Sequence, residues 1–195
     1  HRVIYRRERF TAVSRSTADE LIDLGIRPER IHVIHNGADH VVPERKSSRD
    51  PAPLLLYVGR LKRYKNVDRL LEALPALTEA VPDVRLVVIG DGDERRPLGS
   101  LARRLNVSDR VHFGDALGRW LAAGWVAVNL SSKEGWGLGV MEAARFGVPT
   151  VGADVPGLRD SIRDGETGVL ISPDDPAELQ EVLSVLLMDH RRREA

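Results

Sequence analysis

Apolar residues in this chain follow two alternating rhythms. Short apolar or β-branched runs at residues 10–13, 31–34, 54–58, 84–89, 110–113, 125–130, 149–153 and 168–171 predict strands. Segments of helical period lie between them. Val67, Leu70, Leu71, Leu74 and Leu77 share one helical face. A charged helix is predicted over 94–105, and another over 138–146 closed by Gly147. A last helix spans 176–188, with Leu179, Val182, Leu183, Leu186 and Leu187 inward. Near the start, Ser14 or Ser16 is placed to cap a helix that reaches Leu24 and stops at Gly25, and His35-Asn36-Gly37 marks a turn.

Strand and helix alternating in this way predict an α/β fold, a Rossmann-like parallel sheet with helices on both faces. The rhythm breaks once, at the polar stretch 43–52 with Pro43 and Pro51, which reads as a linker between a first block, 1–42, and a second, 53–195. Right-handed crossovers place every strand-to-helix loop on one edge of such a sheet, and ligands bind there. The loops to inspect are 59–66, 90–94, 131–137 and 154–157.

Composition narrows the chemistry. With 42% hydrophobic and 30% charged residues over 195 positions, the chain is globular rather than disordered. It has no cysteine, which excludes disulfides, thiolate metal sites and cysteine nucleophiles. The 29 basic and 29 acidic side chains cancel, which argues against nucleic acid as a partner. No apolar run approaches the ~20 residues of a membrane span, and no signal-peptide pattern follows His1-Arg2-Val3. Cytoplasmic location is the expectation, and a start without methionine is the mark expected of a fragment or a processed product. The six histidines lack the pairing of a zinc site, so no metal is expected. Ser131-Ser132 sits in no nucleophile elbow. Gly90-Asp91-Gly92 lacks the third glycine of a dinucleotide loop, and Asp91, Asp93 and Glu94 would repel a phosphate.

Two loops stand out. Residues 59–66 carry Arg60, Lys62, Arg63 and Lys65 between a strand end and a helix start, a setting that suits a diphosphate. A solvated basic turn is the competing reading. Residues 134–142 read Glu134-Gly135-Trp136-Gly137-Leu138-Gly139-Val140-Met141-Glu142. The glycines admit a ligand to the backbone, the helix start offers free N–H groups, and the two carboxylates can line one pocket and accept hydrogen bonds from sugar hydroxyls. Taken singly, Glu142 also suits a first-turn acid and Glu134 a surface loop. Trp120 and Trp125 read as core or pocket wall, Trp136 is left open, and Arg191-Arg192-Arg193 reads as a solvated chain end.

Together these stretches resemble a known family. FTAVSRSTADELIDLGI, RIHVIHNGAD, YVGRLKRYKNVDRLLEAL, LVVIGDGDE and SSKEGWGLGVMEAARFGVPTVGADVPGLRDSIRDGETGVLI are similar to the retaining, nucleotide-sugar-dependent glycosyltransferases of family four, which have the two-domain GT-B architecture. The E-x7-E pair is the most specific motif. The resemblance implies that 53–195 is the C-terminal, donor-binding domain and 1–42 the end of the acceptor-side domain. It implies a transferase of hexosyl type using a UDP or GDP sugar as donor substrate, without a further cofactor. Glu134 matches the catalytic position beside the reacting sugar carbon, and Glu142 the one that accepts the ribose hydroxyls. Gly59, Arg60 and Lys65 match the diphosphate loop. Gly135, Trp136, Gly137 and Leu138 face sugar and phosphate, and residues 111–114, with His112, flank the base.

Three departures accompany the match. Most of the acceptor domain, with its catalytic histidine, is missing, so this chain alone is expected to be inactive. The missing domain is the expected partner and the route of any peripheral membrane contact. The last family helix is missing after Ala195, and 115–124 is shorter than the usual helical connection. The rival reading is a non-catalytic nucleotide-sugar-binding or regulatory module of the same fold. A dehydrogenase-type Rossmann domain would need a glycine-rich phosphate loop after its first strand, and none is present.

Overall fold

The computed structural model describes residues 8–42 and 48–194. Strands β1 (Phe10–Ala12) and β2 (Ile31–Val33) pair in parallel, joined through helix α1 (Arg15–Asp23). Of the two serines able to cap α1, Ser14 does so, accepting from the Thr17 N–H at 3.1 Å. Ser16 instead reaches across the molecule, its backbone N–H and hydroxyl both donating to Asp160 at 2.8 and 2.6 Å.

The second block is one parallel sheet of six strands: β3 (Leu54–Val58), β4 (Arg85–Ile89), β5 (Val111–Gly114), β6 (Val126–Asn129), β7 (Thr150–Ala153) and β8 (Gly168–Ile171). Helices α2 (Val67–Ala80), α3 (Arg95–Arg104), α4 (Leu117–Ala123), α5 (Leu138–Arg145), α6 (Pro156–Arg159) and α7 (Pro176–Met188) lie between or after the strands, and α8 (His190–Glu194) ends the described chain. The spatial order is β5-β4-β3-β6-β7-β8. The chain builds outward from β3 to one edge, returns to the other side of β3, and builds outward again. The boundary between β3 and β6 is therefore the topological switch point, where a crevice opens beyond the carboxyl ends of the strands.

Burial explains why β3 is central. Leu54, Leu55, Leu56 and Tyr57 are all buried, as a strand covered on both faces requires. Leu55 and Tyr57 join the larger core with Leu70, Leu71, Leu74 and Leu77 of α2 and Leu183 of α7. Leu54 and Leu56 pack on the opposite face with Leu121 of α4 and Ala143 of α5.

The stretch 115–124, expected to be shorter than the usual helical connection, carries helix α4, whose Leu121 is fully buried and whose Leu117, Trp120 and Ala123 pack against the second core. Two regions depart from the expectations. The last arginines are not all solvated: Arg193 places its guanidinium 4.1 Å from the Trp125 ring centroid and donates to the Leu186 carbonyl at 2.8 Å. The linker's first part, 43–47, lies outside the described residues, whereas Arg49 is pinned, donating to the carbonyls of Gly124, Phe146 and Gly147.

Leu71→Ala, in the fully buried face of α2, is expected to cost about 2–5 kcal/mol in urea unfolding, while exposed Arg96→Ala stays within about 0.5 kcal/mol.

Candidate functional site

The loops that leave β3 and β6 meet across the switch point. Asn66, left-handed at φ 52°, donates from its side-chain amide to the Leu130 carbonyl at 2.8 Å. Ser132 N–H donates to the Tyr64 carbonyl at 2.9 Å. These two bonds stitch the basic loop to the loop that precedes α5. On its outer side the basic loop is tied to the β4 end, with Leu61 N–H on the Asp91 carbonyl and Glu94 N–H on that of Leu61.

Between the loops lies a cavity of about 440 Å³, the size class of a bound small molecule. Gly59, Arg60, Lys65, Glu134, Gly135, Trp136, Gly137, Leu138 and Glu142 all line it. Of the ten residues that the sequence assigns to the site, the fold brings these nine to one cavity. His112 stands apart. It lies on the edge strand β5, tilted against Trp120 with ring centroids 5.1 Å apart, in a separate hollow shared with Gly90, Asp91 and Arg95. The two hollows meet where Gly90 rests on Gly59: a Cβ on Gly90 would come within 1.9 Å of the Gly59 carbonyl oxygen.

The four cations of the basic loop divide by partner. Lys62 pairs with Asp93 at 2.6 Å, and this hydrogen bond holds the exposed Asp93 carboxyl below its ordinary range. Arg63 faces Asp68 at 3.6 Å. Lys65 is nearly buried and ion-paired with Glu134, itself only 15% exposed in its side chain. Ser131 Oγ sits 3.2 Å from the same Glu134 oxygen. Arg60 alone of the four has no carboxylate partner among the described residues; its guanidinium donates to the Tyr64 hydroxyl at 3.2 Å. One cation with no carboxylate partner among the described residues and one ion pair therefore face the cavity, a setting that favours an anion at Arg60 and a polar uncharged group beside Glu134.

Backbone contacts that only glycine permits fix the walls. A Cβ on Gly139 would lie 2.4 Å from the Val58 carbonyl oxygen, so α5 starts directly against the end of β3. A Cβ on Gly157 would lie 1.9 Å from the Glu134 carbonyl oxygen, so α6 supports the loop from behind. Tyr57, buried beneath, donates its hydroxyl to the Arg60 carbonyl at 2.9 Å. Burial, with the Glu134 charge second, pushes its phenol well above the ordinary tyrosine value.

The first block supplies residues that the motifs did not single out. Val13 and Asn36 line the cavity, as do Asn129 and Gly139. Trp136, left open by its sequence, stacks on His35 at 4.2 Å and donates to the Asn36 carbonyl at 3.0 Å. His40 Nε2 lies 2.7 Å from Glu142 Oε1. The His35-Asn36-Gly37 turn was the available signal, but nothing local said that it folds onto the loop before α5. Among the described residues no cluster of His, Asp and Glu is arranged to hold a metal, and no helix is long and apolar enough to cross a membrane.

A six-stranded parallel sheet of this order, with a ligand-sized crevice at its switch point, defines a Rossmann-like domain of the kind found in GT-B glycosyltransferases. The solved structure of WaaG, a glycosyltransferase involved in lipopolysaccharide biosynthesis, superposes with a TM-score of 0.81 at 26% identity over 94% of this chain and 55% of that one. Sucrose-phosphate synthase from Thermosynechococcus elongatus gives 0.82 at 25% identity over 94% and 50%. In sequence, a D-inositol 3-phosphate glycosyltransferase of Thermomonospora curvata is 39% identical over 89% of this chain and 43% of its own length. The family model described as glycosyl transferases group 1 matches residues 42–195, and that of glycosyltransferase family 4 matches 1–42. The chain belongs to the group 1 glycosyl transferases. It spans about half the length of the curated relatives it matches.

The buried phenol gives a check on the site's floor. Because the folded pKa of Tyr57 is raised above the unfolded value of 10.0, its contribution is fully present below that pH and is lost as pH rises beyond it. Alkaline titration followed by tyrosinate absorbance should show one tyrosine ionising only as the protein unfolds, and Tyr57→Phe should remove that step.

Proposed function

We propose that this chain is the donor-binding half of a retaining glycosyltransferase of hexosyl type, which takes a sugar carried on a nucleoside diphosphate. The observation that carries the reading is the meeting of Arg60, Lys65, Glu134 and Glu142 in one cavity at the switch point. Arg60 and Lys65 hold the diphosphate, with the start of α5 offering N–H groups beside them. Glu142 accepts the ribose hydroxyls, and Glu134 faces the sugar near its reacting carbon. The base extends past Gly59 and Gly90 into the hollow at residues 111–114, with His112 at its edge.

In the reaction the bond from the anomeric carbon to the diphosphate oxygen breaks, and the acceptor hydroxyl attacks from the same face. Its proton passes to the departing phosphate oxygen. The negative charge that develops there is met by cations already in place, so little reorganisation accompanies bond breaking. Glu134 is held by Lys65 and Ser131 in a fixed position rather than swinging freely. The acceptor side belongs to the remainder of the first domain, and turnover by this chain alone is not expected. Relatives named D-inositol 3-phosphate glycosyltransferase make an inositol phosphate the first acceptor to try with the whole protein.

Isothermal titration with UDP, GDP and ADP tests the donor reading, and a preference for one diphosphate is the expected result. Glu142→Ala should weaken that nucleotide by roughly 1.5–3 kcal/mol, the scale of hydrogen bonds to a charged group. Arg60→Ala should weaken the diphosphate far more than the corresponding nucleoside. An unchanged affinity for Glu142→Ala, or equal losses for nucleoside and diphosphate with Arg60→Ala, would remove those assignments. Turnover by the whole protein separates an enzyme from a binding module of the same fold.

A further inference from the structure

We infer that His40 is a positioning residue for Glu142, and that recognition of the nucleotide's ribose therefore depends on a His–Glu pair drawn from the two blocks of the chain. The inference rests on the donor reading above and deepens it. Glu142 is buried on the cavity wall, with its side chain 11% exposed. Its two carboxylate oxygens stand in different situations. Oε1 accepts from His40 Nε2 at 2.7 Å. Oε2 has no donor among the described residues, yet no side-chain oxygen of the described residues is both sealed from solvent and unpartnered, so Oε2 stays reachable. One oxygen is committed to the protein and the other is available to a ligand.

The backbone delivers His40 to this contact. Ala38 and Val41 on either side of it are buried against the core under α5. Arg145, three residues beyond Glu142 on the same helix, clamps the immediate neighbours: its Nε donates to the Val41 carbonyl at 2.8 Å and its Nη1 to the Asp39 carboxylate at 3.0 Å. Residues before and after His40 are thus fixed to the helix that carries Glu142. The His40 side chain is itself 56% exposed and adds little to packing, so its geometry serves the carboxylate rather than the fold. A carboxylate anchored through one oxygen loses rotamer freedom before the ligand arrives, and the cost of ordering it is not charged to binding.

The test uses whichever of UDP, GDP and ADP the protein binds, the 2′-deoxy and 3′-deoxy forms of that nucleotide, and inorganic pyrophosphate. Wild type should prefer the ribo form by about tenfold or more. His40→Ala should bring that preference down to within about threefold while leaving pyrophosphate affinity unchanged, because the diphosphate end is untouched. His40→Gln, whose amide nitrogen reaches the Nε2 position, should restore most of the preference. If wild type does not distinguish ribo from deoxy forms, the ribose role of Glu142 falls. If wild type does distinguish them, the His40 inference is overturned by an unaltered ratio in His40→Ala, by a parallel loss of pyrophosphate binding, or by failure of the glutamine rescue.

Discussion

A parallel sheet whose chain order reverses between β3 and β6 leaves two sets of strand-end loops facing each other across a gap that no crossover bridges. Everything at the candidate site follows from how that gap is held. Asn66 and Ser132 bridge it with hydrogen bonds to carbonyls of the opposite loop. Lys65 and Glu134 bridge it with charge. The neutral bonds set the separation, and the ion pair sets the electrostatics, because it neutralises one cation of the basic loop, while Arg60 has no carboxylate partner among the described residues. A cavity lined by four free cations would hold any anion without orientation. One lined by an available arginine and an ion-paired lysine has two electrostatically different ends.

The close approach of backbone to backbone is what makes these positions rigid. Gly139 lets α5 begin against β3, and Gly157 lets α6 brace the loop that carries Glu134. At both places a single added carbon would collide with a carbonyl oxygen rather than with a flexible side chain, so the wall would have to move. The same constraint ties fold to chemistry. The carboxylates of Glu134 and Glu142 are eight residues apart in sequence, and the spacing works because the intervening glycines let the turn fold tightly enough for both to reach one cavity.

Much of this was legible in the order of residues. Buried parallel strands and amphipathic helices announce themselves by period, and the loops with concentrated cations or glycines fell where strand ends had to be. The helix over 117–123 is harder to see: Leu117, Trp120 and Leu121 form its packed face, but seven residues leave the period only two turns in which to register. Contacts of high sequence separation were not legible at all. Nothing near His40 or Asn36 signals an encounter with α5 and its preceding loop about 100 residues later, and nothing near Trp125 signals that Arg193 will cover it. Such contacts are set by where β1, β2 and α1 dock, and that is a property of the assembled surface rather than of any local segment.

That docking alters what counts as the unit of the candidate site. The first block is fastened to the second by Ser16 on Asp160, Lys133 on Glu20, Arg145 on Asp39 and Trp136 on Asn36, the last of these in the cavity wall. Individually, the exposed ion pairs among them contribute little. Collectively they fix Val13 and Asn36 in the cavity wall, so the second block on its own would present an incomplete site. A boundary drawn at the break in hydrophobic rhythm cuts through the lining of a single cavity. The physical unit of the site is the second sheet together with the turn of the first block that lies on the loop before α5.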